Sequence, residues 1–311
     1  MADSTDSEQG LDDLEAPWAQ GTPPGADWTL SIGADWDPPE IDPTVPHPFR
    51  MYNYLIGGKD HYQADRDAVG ILLRARPDSV ISARAVEAFS RRVIRYLAGA
   101  GITQFLQLGT AISVANSHDR IAQDVSPDCR FVYVADDPIT LAHARALLVG
   151  RPGSDVTVVA GNFRRTGCVL ADPGVTGHLD LGRPVGVLLF GMLDYIRDPE
   201  SAKAALAALV EWVPPGSMIA LQHVQEVGMA EVDEAVYLLS AQEKLGLTPR
   251  SKEQIHEIVD AFAPQLIEPG LVQLPLWRRE DAPPDASALD DGPGPEMAER
   301  AATLGGVIHK K

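Results

Sequence analysis

The amino-acid sequence predicts an α/β fold in which a mostly parallel β-sheet lies between layers of helices. Short apolar stretches rich in Val, Ile and Phe alternate with longer stretches of helical spacing through the middle of the chain. Each apolar stretch ends in small or polar residues such as Gly, Asp or Asn. Right-handed crossovers would bring these ends to one edge of the sheet, where open α/β folds bind their ligands.

Composition and charge limit the class of protein. The chain has 311 residues, 45% of them hydrophobic, which is enough apolar material for a large core. Its net charge is −18, but residues 1–45 contribute eleven acidic side chains and no Lys or Arg. The remaining 33 acidic and 26 basic residues leave −7 for the rest of the chain. This acidic balance argues against nucleic-acid binding.

Neither the N-terminal segment nor the cysteine spacing is typical of a secreted or membrane protein. No apolar run reaches the length of a membrane span, and the acidic N-terminal segment is unlike a signal peptide. Cys129 and Cys168 are isolated and lack metal-finger spacing, so we expect reduced, structural cysteines and predict no metal site. We therefore expect a soluble cytoplasmic protein that contacts neither nucleic acid nor membrane.

Two segments precede the predicted sheet. Residues 1–45 are rich in Asp, Pro, Gly and Ser and are predicted to be a disordered leader. Three Trp residues in this leader leave open that part of it lies on the folded body. Residues 46–100 are predicted to form a helical cap, with a first helix that starts at Phe49 and ends at the Gly57-Gly58 pair. Two more helices are predicted over 65–76 and 82–97.

The stretch 102–119 is the centre of the predicted fold. Phe105, Leu106 and Leu108 are typical of a strand buried on both faces. Gly109-Thr110-Ala111 then breaks the apolar run, and helical spacing begins at Ser113, a potential N-cap. Strand, turn and helix make the first half of a βαβ unit. A single glycine here fits either a plain strand turn or a turn that approaches a cofactor.

The remaining elements continue the alternation within a predicted core over residues 101–280. Strands are predicted over 130–134, 155–160, 185–190 and 218–222, and helices over 139–149, 201–213, 231–245 and 251–262. The segment 265–277 reads as two strands around a Pro269-Gly270 turn, which could close the sheet in antiparallel fashion. Residues 281–311 return to Asp, Pro, Gly and Ala and are predicted to be a flexible tail.

Polar residues at successive strand ends indicate a nucleoside site. An acid after the second strand, at Asp136-Asp137, suits a pair of ribose hydroxyls, and Asn162 beside Phe163 suits an adenine. Each has a plainer alternative, because Asp137-Pro138 is also an ordinary helix start and Asn162 could cap a turn. The other strand ends are Gly109 to Ala111, Gly191 to Asp194, and His223.

At this point the sequence resembles a bacterial family of S-adenosylmethionine (SAM)-dependent methyltransferases. The matching segments are Met51 to His61, Gln107 to Ala111, Ala135 to Pro138, Leu141 to Leu148, Gly161-Asn162 and Leu266 to Arg278. The resemblance implies a Rossmann-like class I methyltransferase fold: a mostly parallel seven-stranded sheet with an antiparallel C-terminal strand pair and an N-terminal helical cap.

The resemblance also implies how SAM would be held. The glycine turn would lie against its methionine part, the second strand end against its ribose and the third against its adenine, with the first helix folded over the site. The cofactor-binding residues implied are Met51, Tyr54, Lys59, Gln107, Gly109, Thr110, Ala111, Asp136, Asp137, Asn162, Phe163, Gly191 and Met192.

Several positions depart from the family pattern. They are Gln107, Ala135 and Asn162 in place of acids, Ala111 in place of a glycine, Asp194 in place of a His, and Asn53 in place of an Asp. Gln107 lacks the charge that would attract an ammonium group, and Ala135 cannot accept a hydrogen bond. Losing a ribose acceptor should cost about 2–4 kcal/mol unless Asp136 replaces it. These departures therefore suggest that SAM is bound weakly, differently or not at all.

Two functions follow from this reading. The first is a SAM-dependent methyltransferase acting on a small molecule, with secondary metabolism as one setting. Its candidate catalytic residues are Asp194, His61, Tyr54 and His223, with Tyr52 also near the pocket. The alternative is a repurposed scaffold with weak or no SAM binding, which either catalyses a SAM-independent cyclisation, elimination or isomerisation through Asp194 or His61, or serves as a non-catalytic binding protein.

Overall fold

The computed structural model describes residues 42–109, 117–149, 155–226, 247–281 and 292–311. The predicted leader up to residue 41, the helix start at Ser113 and the predicted helix over 231–245 lie outside these ranges. From residue 42 onward the described residues belong to one unit.

Within these ranges, seven strands form one sheet in the order β3-β2-β1-β4-β5-β7-β6. The strands are β1 (Gln104–Leu108), β2 (Arg130–Ala135), β3 (Asp155–Ala160), β4 (Gly186–Phe190), β5 (Met218–Val224), β6 (Val272–Gln273) and β7 (Thr303–His309). The first five are parallel, and β7 pairs antiparallel with both β5 and β6. The predicted fold, a mostly parallel sheet with an antiparallel C-terminal pair, is confirmed.

The members of that antiparallel pair differ from the prediction. The segment 265–277 supplies only β6 and a bridge from Leu266 to Ile308, while β7 comes from the segment predicted to be a flexible tail. The tail prediction is therefore wrong for β7. Gly305 and Gly306 dilute the apolar pattern of this strand, yet packing requires them. A Cβ on Gly305 would lie 2.4 Å from Leu274 Cδ2, and one on Gly306 would lie 2.9 Å from Gly270 O.

Helices cover both faces of the sheet. They are α1 (Pro48–Leu55), α2 (Gln63–Ala75), α3 (Ser79–Gly99), α4 (His118–Val125), α5 (Pro138–Leu148), α6 (Thr166–Leu170), α7 (Pro173–Thr176), α8 (Pro199–Trp212), α9 (Lys252–Val259) and α10 (Ala298–Ala301). The short helices α6 and α7 were not predicted. Helix starts follow local chemistry, since Asp137 and Asp198 each cap a helix whose first residue is a proline. None of the described helices is both long and apolar enough to cross a membrane.

The predicted cap divides into two parts. Helix α3 belongs to a sheet layer, where Phe89, Val93 and Leu97 pack with α4 and α5 against one face. Helices α6, α7, α8 and α9 cover the opposite face. Helices α1 and α2 form a smaller apolar cluster around Met51 and Val69. This arrangement holds α1 above the carboxyl ends of the strands.

A buried arginine ties α3 to the chain beside β6. Arg92 donates from Nε to Trp277 O at 3.1 Å and from Nη2 to Leu274 O at 2.8 Å. The Trp277 ring meets the Phe89 ring edge-on, with centroids 5.4 Å apart. These contacts fix the segment that packs over β7.

Candidate functional site

A cavity of about 210 Å³ lies at the carboxyl ends of β1, β4 and β5, beneath α1, α2 and α3. Its wall is mostly apolar, with Phe49, Met51 and Phe190 among the lining side chains. Polar groups enter it from several elements: Arg76, Glu87, Gln107, His118, Asp194 and Gln222. The carboxyl ends of three parallel strands therefore meet at one cavity, whereas the predicted site residues after β2 and β3 are not among its lining residues.

Gly109 forms the turn that follows β1. Its φ of +78° lies in the left-handed region that favours glycine. A Cβ at this position would lie 2.5 Å from Phe49 Cζ and 2.6 Å from Met192 Sδ. Helix α1 and the turn after β4 thus close directly over the end of β1, and only glycine fits between them. Thr110 and Ala111, the other two residues of this predicted turn, lie outside the described residues.

Gln107 lies on β1 next to a buried histidine. Gln107 Nε2 donates to Gly109 O at 3.0 Å, so its Oε1 faces Nδ1 of His118 at 2.6 Å. His118 Nδ1 must then carry the hydrogen of that bond, and Nε2 faces the Ser90 hydroxyl at 3.1 Å. The position that is acidic in the family is therefore a neutral amide locked by a neutral imidazole.

The environment of His118 keeps it uncharged. Burial is the main cause that lowers its pKa from 6.5 to about 4, helped by the positive charge of Arg91 and opposed by Asp119. Its remaining exposed surface faces the cavity. At neutral pH His118 can accept or relay a hydrogen bond but carries no charge.

Asp194 and His223 meet at the ends of β4 and β5. Asp194 Oδ1 lies 2.8 Å from His223 Nδ1 and accepts from the Val224 N–H at 3.1 Å. His223 Nε2 faces Arg250 Nη1 at 2.6 Å, and because Arg250 only donates, Nε2 accepts and Nδ1 holds the hydrogen. His223 is buried behind Asp194, while Asp194 lines the cavity.

Asp136 and Asp137, which follow β2, differ in their hydrogen bonds. Asp137 uses both oxygens, since Oδ1 accepts from Arg50 Nη1 at 2.8 Å and Oδ2 caps α5 at Thr140. Asp136 is partly exposed, and its buried Oδ1 has no hydrogen-bond donor among the described residues. His47 Nε2 approaches that oxygen only to 3.5 Å. Asp136, rather than Asp137, therefore carries the unsatisfied acceptor of the pair, although Asp136 is not among the residues that line the cavity.

The residues at the end of β3 are used by the protein's own turn and core. Asn162 is exposed, and its Oδ1 accepts from the Arg164 N–H at 2.9 Å, which is the capping role weighed as the plainer alternative. Phe163 is buried and packs near Tyr195, with ring centroids 6.1 Å apart. Its ring thus belongs to the core beside the site.

Three residues of the N-terminal segment face away from the cavity. Tyr54 is exposed and meets His61 edge-on with centroids 4.8 Å apart, and His61 Nδ1 lies 3.0 Å from Arg66 Nη1. Lys59 is exposed. By contrast, Met51 lines the cavity from α1, and Gly191 lines it from the turn after β4. The structure therefore brings Asp194 and His223 together at the edge of the cavity, whereas Tyr54 and His61 contact each other outside it.

Sequence reasoning missed several cavity residues, among them Arg76 after α2, Glu87 on α3 and His118 on α4. Glu87 accepts from Arg91 Nε at 3.0 Å and lies 3.5 Å from the Tyr52 hydroxyl. Burial, together with the negative charge of Glu87, raises the pKa of Tyr52 well above its usual value. The i,i+4 spacing of Glu87 and Arg91 is typical of an ion pair on a helix surface, so the sequence does not indicate that Glu87 lines a cavity.

The wall at β5 has one unsatisfied group. Gln222 is buried, and its Oε1 has no hydrogen-bond donor among the described residues. Gln222 Nε2 lies 3.0 Å from where a Cβ on Gly191 would stand. No cluster of three or more His, Cys, Asp or Glu side chains able to hold a metal occurs in the described part of the chain.

Comparisons with known proteins assign the family. Residues 34–310 match the model of the S-adenosyl methyltransferase family. A proposed methyltransferase from Thermobifida fusca YX, of known crystal structure, is 32% identical over 89% of this chain and 100% of its own, with a TM-score of 0.74. A DUF574 family protein from Streptomyces avermitilis MA-4680 is also 32% identical, over 88% of this chain and 100% of its own, with a TM-score of 0.76. No curated protein matches. The chain therefore belongs to the S-adenosyl methyltransferase family.

Proposed function

We propose that this protein is a SAM-dependent methyltransferase whose acceptor is a small molecule bound in the cavity. The observation that supports the proposal is that a single cavity joins the two regions that methyl transfer needs. One hollow reaches from Gln107 and Gly109, at the cofactor end of the fold, to the Asp194 carboxylate after β4. Family membership favours methyl transfer over a SAM-independent step on a repurposed scaffold.

The residues present fit SAM at two points. Asp136 Oδ1 is a buried acceptor without a donor, at the strand end where a ribose hydroxyl is expected. Gly191, with positive φ, lines the cavity next to Gly109, where the methionine part is expected. When bound, SAM supplies an electrophilic methyl group. Asp137 is committed to Arg50 and to capping α5.

Gln107 changes how the methionine ammonium would be held. Its Oε1 already accepts from His118, and its Nε2 already donates to Gly109 O. The attraction that an acid would provide at this position is absent, so SAM should bind more weakly here than in relatives with the acid.

Asp194 is placed to hold a proton from the acceptor. The Val224 N–H donates to Oδ1, which also lies 2.8 Å from His223 Nδ1, and no hydrogen bond from a described residue reaches Oδ2. Oδ2 can therefore take the proton that a hydroxyl or amine nucleophile loses on methylation. His223 acts on the acceptor only through Asp194, because its other nitrogen faces Arg250.

Calorimetric titration of the purified full chain with SAM and with its demethylated product tests the proposal. We expect both to bind, and mass spectrometry of heat-released ligands to find one of them or a methylated metabolite. Absence of heat from both, at millimolar concentration, would favour the repurposed scaffold instead.

A further inference from the structure

Arg76 is a buried cation with few partners. It follows α2, it is 7% exposed, and it lines the cavity. Among the described residues its guanidinium makes one hydrogen bond, from Nη2 to Ala302 O at the long distance of 3.4 Å. Arg76 forms no ion pair with any carboxylate of the described residues.

The other buried arginines are paired. Arg50 binds two carboxylates, Arg91 binds Glu87, Arg92 binds two carbonyls, and Arg250 binds several carbonyls and His223. A buried guanidinium is costly unless its donors are satisfied. Arg76 differs from them because most of its donors have no acceptor within the part of the chain that the structure describes, while its side chain lines the cavity.

The charge of Arg76 persists despite burial. Burial lowers the pKa of its guanidinium, and the more distant carboxylates of Asp194 and Asp78 oppose that shift. An arginine does not lose its proton in proteins. The cavity therefore contains a fixed positive charge that attracts an anion.

Arg76 lies on the acceptor side of the cavity. Its partner Ala302 precedes β7, whose first residue, Thr303, pairs with Val224 at the carboxyl end of β5. Strands β1, β4, β5 and β7 are consecutive neighbours in the sheet. Three strand spacings separate β7 from β1, about 14 Å. The methionine part of SAM, expected at Gly109 on β1, is therefore far from this wall.

We propose that Arg76 is the binding site for a carboxylate group carried by the acceptor substrate. This inference rests on the proposed methyltransferase function. A monoanionic carboxylate matches the planar guanidinium and can bind it through two hydrogen bonds. A phosphate would bring a second negative charge into a cavity that Glu87 and Asp194 also line. Anchored at Arg76, the acceptor would present its nucleophile to the Asp194 carboxylate.

The test compares Arg76→Met with Arg76→Lys and with Arg74→Met. Arg74 is an exposed cation in the last turn of the same helix and serves as the matched control. Small aromatic and aliphatic carboxylates, each with its neutral primary amide, are screened by thermal shift with and without the demethylated cofactor product. We expect carboxylates to raise the Tm of the wild type and of Arg74→Met more than the amides do. Arg76→Met should lose this preference, and Arg76→Lys should keep part of it.

The Tm of each variant without ligand shows whether the variant is folded. Removing an unpaired buried charge should leave the Tm of Arg76→Met without ligand equal to or above that of the wild type. Equal responses to carboxylates and amides in the wild type, or a preserved carboxylate preference in Arg76→Met, overturn the proposal.

Titration with SAM separates the two sources of a carboxylate. Unchanged SAM affinity in Arg76→Met, with the carboxylate preference lost, supports an acceptor carboxylate. A tenfold or greater loss of SAM affinity would assign Arg76 to the carboxylate of the cofactor and overturn the acceptor assignment. A wild type that binds carboxylates but not SAM would refute the methyltransferase proposal and leave the anion site standing.

Discussion

Nδ1 of His223 lies 2.8 Å from Oδ1 of Asp194, although 29 positions separate the two residues along the chain. They meet because β4 and β5 are parallel neighbours whose carboxyl ends share one edge of the sheet. His223 lies beside one oxygen of the carboxylate, Oδ1, while no hydrogen bond from a described residue reaches the other oxygen, Oδ2.

Asp194→Asn should lower the rate of methyl transfer by about 10²-fold or more, because an amide cannot take the acceptor proton. SAM affinity should be unchanged. Single-turnover formation of the demethylated product, with the acceptor that copurifies, measures the rate. Asp198→Asn, at the exposed cap of α8, is the matched control and should behave as wild type. An Asp194→Asn enzyme that works at the normal rate would exclude this carboxylate as the proton acceptor.

The neighbouring acids after β2 should separate binding from stability. Asp136→Ala should weaken SAM binding by about tenfold or more, since it removes the unsatisfied acceptor, with little change in the free energy of unfolding. Asp137→Asn should instead lower the free energy of unfolding by about 2–4 kcal/mol, because it leaves buried Arg50 with one carboxylate partner fewer. Calorimetry and urea denaturation report the two quantities, and the reverse pattern would contradict the assignment of Asp136 to the ribose.

His118 should make stability depend on pH. Its pKa is about 4 in the folded protein and 6.5 when exposed in the unfolded chain. Between these values the unfolded chain binds more protons, so the free energy of unfolding falls as the pH drops from about 6.5 to 4, by up to ~3 kcal/mol. Urea denaturation across this window should show a shallower pH slope for His118→Asn than for wild type. His256→Asn, which removes an exposed histidine, should keep the wild-type slope.

Gly101 and Gly109 have similar backbone conformations but should differ in how much a substitution by Ala destabilises the protein. Gly101 has φ +93° and open space where a Cβ would stand, whereas Gly109 has φ +78° and two close neighbours. Gly101→Ala should cost about 1–2 kcal/mol in unfolding free energy from backbone strain alone. Gly109→Ala should cost about 1–3 kcal/mol more because Phe49 and Met192 must move. Equal costs in urea denaturation would show that α1 does not press on the end of β1 in solution.

Much of the fold could be predicted because strand and helix patterns are local. The strand-end rule found Asp194 and His223, since it needs only the order of elements and the parallel direction of the strands. It also pointed to Asp136 and Asp137, but the burial of Arg50 that separates their roles depends on contacts across the chain. Local patterns cannot supply such contacts.

Strand β7 and the cavity residue Arg76 were not predicted, because both depend on contacts between distant parts of the chain. Strand β7 was hidden because its two central glycines are set by the closeness of Leu274 and Gly270, not by strand propensity. Arg76 reads in the sequence as an ordinary basic residue at a helix end, where cations are favourable. Only the assembled wall shows that its charge is buried.

The contact between Arg76 and Ala302 joins residues 226 positions apart. Closing such a long loop costs more entropy than pairing β1, β2 and β3 over their shorter separations, so we expect this contact to form later in folding. A partly unfolded molecule should therefore retain β1, β2 and β3 and lose the wall around Arg76 first. Hydrogen exchange would register this as faster exchange in β7 than in β2.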